Sequence, residues 1–311
     1  MRWQRLWQSK RMKGQGMTIH GAIEAGGTKF VCAVGSAEAG SLRTATIPTR
    51  DPDATFAEVA AFFRDAADLG PVAGIGVASF GPVGVDPVSP DYGKILATPK
   101  PGWEGTDLLA RIRSFLDVPM AIDTDVNAAA LAEVRVAGAE MRQLAYVTVG
   151  TGIGVGLVSE GRPVHGIGHP EAGHILVRRH PAHEGFAGTC PFHGDCLEGL
   201  AAGPAVSSAW GSPASELAAD HPFWEVEADY LAQLCMMLFL TMAPQRIVLG
   251  GGVMKQARLI PLIRARTAAL LGGYVQAARD EAAMERLIVP PACTEPSGLV
   301  GAFLLAEQAA G

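Results

Sequence analysis

Residues 19–34 read IHGAIEAGGTKFVCAV, and residues 144–158 read LAYVTVGTGIGVGLV. Each is a pair of apolar stretches joined by a glycine-rich turn. In the first, Thr18–Ala25 and Phe30–Val34 alternate apolar residues around Gly26-Gly27, the pattern of a β-hairpin. In the second, Leu144–Val149 and Ile153–Val158 flank Gly150-Thr151-Gly152-Ile153-Gly154. The layout repeats although the letters do not, which predicts two related halves.

Reading outward, the first hairpin is followed by a strand near Ser41–Pro48, a helix over Asp53–Leu69 and a strand over Val72–Ala78. Turn-rich stretches Phe80–Pro90 and Thr98–Gly105 come next. A helix over Leu108–Leu116, a short strand Pro119–Ile122 and an Ala-rich helix Asn127–Ala139 complete this part. After the second hairpin, Gly161–Gly203 is loop-rich. The rest predicts a helix Phe223–Met242, a strand Gln245–Leu249 closed by Gly250-Gly251-Gly252, helices Ile260–Leu271 and Ala277–Met284, a strand Arg286–Val289 and a helix Gly298–Glu307. Three strands, then alternating strand and helix, then the same again, is an α/β plan with two sheet-centred domains.

The 311 residues are 49% hydrophobic and 18% charged, enough for two cores. The net charge of -6 argues against a polyanionic partner. There is no apolar run of about 18 residues, the length a membrane span needs. Cys32, Cys190, Cys196, Cys235 and Cys293 are an odd set of five, unlike a disulfide framework, and Cys32 and Cys235 sit in apolar runs as core residues. Residues 1–17 carry five Lys/Arg and no acid but lack the apolar segment of a secretory signal. They read as a disordered extension, or as residues before a true start at Met17, rather than as an amphipathic targeting helix. A cytoplasmic protein is the expectation.

Three glycine turns each lie at the end of a strand. Gly26, Gly27, Thr28 and Lys29 offer backbone N–H groups, a hydroxyl and a positive charge to a polyphosphate. Gly150, Thr151, Gly152 and Gly154 form a second turn; a strand follows it, so it is no Rossmann fingerprint, and no Gly-Lys-Ser/Thr ends it. Gly251 and Gly252 lie between a strand and a predicted helix, where a helix N-terminus and a close wall for a flat ring are available. One such turn is weak evidence; three together point to a nucleotide site.

Asp123-Thr124-Asp125-Val126-Asn127 stands where a strand gives way to a helix, the place from which a carboxylate faces the crevice of an α/β fold. Taken alone, Asp125 reads as a helix cap. With a polyphosphate nearby it reads as the base that accepts a hydroxyl proton in phosphoryl transfer. His174, Cys190, His193 and Cys196 have the spacing H-x15-C-x2-H-x2-C, a tetrahedral zinc set of the closed, structural kind. His165, His169, His180 and His183 lie nearby as competing ligands. Glu171 and Glu198 flank the set and would be held by it.

The motifs GAIEAGGTKF, DTDVNAAALAE, VTVGTGIGVGL, HPEAGHILV, CPFHGDCLEGLAAGP and IVLGGGVM, in that order from about Ile19 to the C-terminus, resemble the ROK family of actin-like ATPases. Within it, EAGGTKF, SFGPVG, TPKPGW and CPFHGDCLEG are most similar to the zinc-containing bacterial fructokinase branch. The resemblance implies a two-lobed, ribonuclease H-like α/β fold with a nucleotide cleft between the lobes. It implies lobes of 18–122 plus 297–311 and of 123–296, the C-terminal helix packing back on the first. It also implies an ATP- and magnesium-dependent hexose kinase acting on fructose, closing on its sugar, with zinc and a homodimeric state. Asp125 matches the catalytic base. Glu171, His174 and Glu198 match sugar-binding positions, and Gly81, Thr124 and Asn127 join them; His174 is shared with zinc. The Thr98–Trp103 loop matches a segment that closes over the sugar.

Three departures stand out. Glu24 replaces an Asp beside the magnesium–phosphate region, Thr124 replaces an Asn common in glucose-active members, and His193 replaces a zinc Cys. Imidazole is a good zinc ligand, so the last change keeps the site. Other readings are a kinase of mannose, glucose or N-acetylmannosamine, a sugar-sensing regulator, and a zinc-ribbon nucleic-acid module. The 17 residues ahead of the first strand are too few for a helix-turn-helix.

Overall fold

A computed structural model describes residues 18–311; the reading of 1–17 lies outside them. The chain divides into two units, each with its own core. The first holds the residues up to Ala132 with His165–His169 and Cys293–Gly311; the second holds Glu133–Val164 and Pro170–Ala292. The boundary expected at 122/123 falls instead after Ala132: the first turns of the helix that starts at Asp125 lie close against the C-terminal helix, where a Cβ at Gly301 would come within 1.9 Å of the Ala128 carbonyl oxygen. The C-terminal piece of the first unit begins at Cys293 rather than at 297.

In the first unit β1 (Ile19–Ala25), β2 (Lys29–Ser36) and β3 (Gly40–Pro48) form an antiparallel meander. Helix α1 (Pro52–Asp65), capped by the Asp51 carboxylate on the Ala54 N–H, leads to β4 (Val72–Ser79). After α2 (Leu108–Arg113) comes β5 (Met120–Thr124), which passes into α3 (Asp125–Ala137). The sheet order is β3-β2-β1-β4-β5, with β1, β4 and β5 parallel.

The second unit repeats this plan. Strands β6 (Leu144–Val149), β7 (Ile153–Ser159) and β8 (Arg162–Pro163) are antiparallel neighbours. The helices α4 (Leu197–Ala201), α5 (Gly203–Trp210) and α6 (Phe223–Thr241) precede β9 (Arg246–Gly250). Then come α7 (Leu259–Leu271), α8 (Glu281–Leu287) and β10 (Ile288–Val289). The order β10-β9-β6-β7-β8 is the first sheet's order read from the other edge, again with three parallel strands. The repeat seen in the two glycine hairpins is therefore a repeat of whole sheets.

Helix α9 (Ser297–Ala310) returns to the first unit and packs on β1, β4 and β5. Beneath the sheet, Trp103 is fully buried against Phe30, Phe56 and Phe80, with ring centroids 5.5, 6.4 and 5.6 Å away, and its indole N–H donates to the Arg50 carbonyl. The Trp103 end of the Thr98–Trp103 loop is thus anchored in the core. A buried indole with its one donor satisfied is held strongly. Cys32 and Cys235 are core residues as read, and burial pushes both thiols up to about 12. Among the described residues no helix is long and apolar enough to cross a membrane.

Candidate active site

Parallel strands β1, β4 and β5 end in register, with Ala25 opposite Ser79 and Ser79 opposite Thr124. Three predicted features thus leave the first sheet side by side: the Gly26 turn, the Phe80-Gly81-Pro82 turn with its cis Gly81–Pro82 bond, and Asp125. This is the carboxyl edge at which α/β sheets bind ligands.

The Gly26–Lys29 turn closes through the Gly26 N–H on the Lys29 carbonyl at 3.0 Å. Gly27, Thr28 and Lys29 are exposed, so their donors face solvent. Thr49, which sequence reasoning missed, braces the turn: its hydroxyl donates to the Gly26 carbonyl at 2.7 Å and its N–H to the Thr28 carbonyl at 3.0 Å. Glu24 lies just inside. Its carboxylate is seated against Gly298, where a Cβ would come within 2.5 Å of Oε1, so the longer side chain fits because residue 298 has none. Burial raises the Glu24 pKa, and the Lys29 charge opposes the rise.

At the head of α3 the capping role falls to Thr124. Its Oγ1 accepts the Asn127 N–H at 3.1 Å, the arrangement of an N-cap. Asp125, half-buried, is the first helical residue, and its Oδ1 accepts the adjacent Val126 N–H at 2.9 Å. Thr124 and Asn127 are nearly inaccessible, at 3% and 0% exposed. Thr124 caps the helix, while the Asn127 amide donates to Asp123 Oδ1 at 2.8 Å. Asp123 itself is buried and also lies 2.9 Å from His165 Nε2.

In the second unit, Val149 pairs with Ile153 and Thr148 with Gly250, so the second and third glycine turns leave the sheet together. Gly251 has φ +97°, and a Cβ there would sit 2.3 Å from the Val149 carbonyl oxygen; only glycine allows that backbone and that approach. A single 3-10 turn, Val253–Lys255, follows, and α7 begins only at Leu259. The helix N-terminus expected directly after Gly252 is therefore not there.

The loop between β8 and α4 brings His174, Cys190, His193 and Cys196 together, with one ligand atom of each lying within 4.8 Å of all the others. His174 Nδ1 is 3.4 Å from Cys196 Sγ and 3.6 Å from Cys190 Sγ, and His193 Nδ1 is 3.6 Å from Cys190 Sγ. The competing histidines go elsewhere. His165 joins Asp123, His169 Nε2 accepts the Val83 N–H at 3.2 Å, His180 caps a 3-10 turn, and His183 is buried beside the Tyr230 hydroxyl at 3.1 Å.

Glu198, on the first turn of α4, has two neighbours. Oε2 accepts the Ile153 N–H at 2.9 Å, and Oε1 is 3.9 Å from His174 Nε2. A Cβ at Gly152 would lie 2.6 Å from the same Oε2. The metal-ligand loop is thereby tied to the second glycine turn. Glu171, whose carbonyl accepts the His174 N–H, has its pKa raised to about 7, first by burial of the carboxyl group and then by the Glu198 charge.

The sequence has close relatives. Residues 20–309 match the ROK family. A fructokinase of Pediococcus pentosaceus is 42% identical over 290 residues, 93% of this chain and 98% of that protein. A putative fructokinase of Bacillus subtilis (strain 168) is 41% identical over 93% of this chain and 95% of its own length. Among solved structures, a ROK hexokinase from Thermus thermophilus superposes with TM-score 0.75 at 25% identity, covering 94% of this chain and 98% of its own. A ROK glucokinase from Streptomyces griseus, solved with glucose and AMPPNP, shares the fold at TM-score 0.72 and 21% identity, over 94% of this chain and 100% of that one.

Proposed function

The chain belongs to the ROK family, and from that premise we propose that it is an ATP-dependent sugar kinase converting D-fructose to D-fructose 6-phosphate. The observation that carries the reading is identity above 40% with fructokinases over 93% of the chain. The two-lobed actin-like sugar-kinase fold agrees with it.

In this reading Asp125 accepts the proton of the attacking sugar hydroxyl. The Thr124 hydroxyl closes the first turn of the helix that Asp125 begins. Phosphoryl transfer asks the protein for positioning and charge neutralisation more than for covalent chemistry. Gly26–Lys29 and Gly150–Gly154 supply N–H donors, a hydroxyl and a cation to the phosphates. Gly251 and Gly252 shape the wall for adenosine. Magnesium, when bound, would neutralise phosphate charge, and Glu24 beside Lys29 would help to hold it. Glu171, His174 and Glu198 hold sugar hydroxyls, and the Gly81 turn offers its backbone alongside Asp125.

Zinc fits the His174, Cys190, His193 and Cys196 donors. A tetrahedral ion with Zn–N near 2.05 Å and Zn–S near 2.3 Å has an N–S edge of about 3.6 Å, against 3.4 and 3.6 Å here. Four protein ligands leave no open position, so the metal staples the loop and holds Glu198 and His174 in place. The same reading makes the protein a cytoplasmic homodimer that handles free sugar and magnesium ATP.

A coupled assay of ADP release over a panel of hexoses tests the reaction. Fructose is expected to give the highest kcat/KM. Preference for mannose, glucose or N-acetylmannosamine would move the assignment within the family, and no turnover with any hexose would refute it.

A further inference from the structure

The stretch His165–His169 groups with the first unit although the residues on both sides of it group with the second. Its first residue makes the contact of interest. Asp123 is 2% exposed, and a carboxylate so placed needs donors around it. Among the described residues it has three: the Thr124 N–H at 2.7 Å and the Asn127 amide at 2.8 Å on Oδ1, and His165 Nε2 at 2.9 Å on Oδ2. An ionised carboxylate only accepts, so Nε2 carries the hydrogen. The Asn127 amide, 3.4 Å from the same nitrogen, is then a neighbouring donor and not its partner. Two of the three donors belong to the turn that carries Asp125. The third comes from a residue 42 positions away and is the only one of them a local sequence reading would never supply.

We propose that His165 is a positioning residue for the phosphoryl transfer: by holding Asp123 it fixes, through Thr124 and Asn127, the first turn of α3 on which Asp125 stands. This rests on the sugar-kinase reading. The charged groups facing the imidazole are Asp123 from the end of β5 and, at longer range, Asp86. The Tyr92 hydroxyl, beside the Ile122 backbone N–H, faces Asp123 from another side. The hydrogen bond to Asp123 raises the His165 pKa, burial opposes it, and the two acidic charges add to the rise. The ring therefore stays cationic above its ordinary range, and its grip on Asp123 is strongest in that state. Its contribution to kcat is present below that pKa and weakens as pH rises through it.

The test compares His165→Ala, His165→Gln and Asp123→Asn with the wild type, reading kcat, both KM values, the pH profile and thermal melting. His165→Ala should lose roughly tenfold to a hundredfold in kcat, the cost of a misplaced reacting group, with the KM for ATP within about twofold. His165→Gln, whose amide can still donate to Asp123, should recover most of the rate and lose the alkaline inflection of the wild-type profile. Asp123→Asn should lose that inflection too, and it decides the matter if His165→Ala does not fold. Unchanged kcat in His165→Ala, a His165→Gln variant as impaired as His165→Ala, or a wild-type pH profile in Asp123→Asn would overturn the proposal. Should the wild type phosphorylate no hexose, the reading of the reaction fails separately. The Asn127 side-chain amide resonances then decide: shifted in His165→Ala and restored in His165→Gln supports the positioning role, and no shift removes it.

Discussion

The Thr124 hydroxyl oxygen accepts the backbone N–H of Asn127 at 3.1 Å. A threonine, not the aspartate beside it, therefore closes the first turn of α3. The two candidate roles of Asp125, cap and base, separate on this bond, and so do the variants that test them.

Asp125→Asn is expected to abolish turnover while leaving the melting temperature and fructose affinity near wild type. Thr124→Ala should do the reverse in stability, costing about 1 kcal/mol for the lost cap, with activity remaining. Calorimetric sugar titration and a thermal melt on both proteins check this. Near-normal kcat in Asp125→Asn would contradict the base assignment.

Purified protein is expected to carry about one zinc per chain, by the closed four-ligand set. Chelation should lower the melting temperature, since binding energy of a structural metal is folding energy. It should also raise the KM for ATP along with that for sugar, because Glu198 links the metal loop to the Ile153 N–H. Active protein with no zinc by elemental analysis would remove the staple.

Glu227 is fully buried in α6, and neither carboxyl oxygen has a hydrogen-bond partner among the described residues. Burial raises its pKa well above 4.5, so the folded protein keeps a proton that the unfolded chain releases. Stability from this group is then lost as pH rises above the unfolded value. Glu227→Gln, which cannot ionise, should gain on the wild type progressively as pH rises above the ordinary carboxylate range. Denaturant midpoints across that range measure it; a constant difference would show that Glu227 is not buried as a neutral acid.

Trp103→Ala should destabilise the first unit by about 3–5 kcal/mol, the cost of emptying a large aromatic site. A tryptophan exposed on a loop would cost far less. Urea unfolding followed by circular dichroism separates the two.

Much of this architecture could be read from the chain because its signals are local. The β1–β2 and β6–β7 hairpins alternate cleanly and turn on glycine, and the four zinc-type ligands sit largely within one short loop. What escaped was set by contacts between distant residues or by near-equivalent neighbours. Asp123, Thr124 and Asp125 are three consecutive side chains able to cap a helix, and only packing selects Thr124. Asn127 looks like a polar surface residue until Asp123 draws it inward. Thr49 meets the Gly26 turn from 23 residues away, and His165 meets Asp123 from 42. After Gly252 the apolar pattern continues, yet a 3-10 turn intervenes before the helix, a distinction periodicity does not resolve.

Glu198 occupies the volume that a side chain at residue 152 would need. The two positions are therefore coupled: a Cβ at 152 would push the Glu198 carboxylate off the Ile153 N–H. A lineage that keeps the Glu198 carboxylate on the Ile153 N–H is favoured to keep glycine at 152, while one that discards the metal loop, and with it the hold on Glu198, is released to change both. Loss of the cysteines in a descendant should be followed by drift in a glycine turn that touches neither of them.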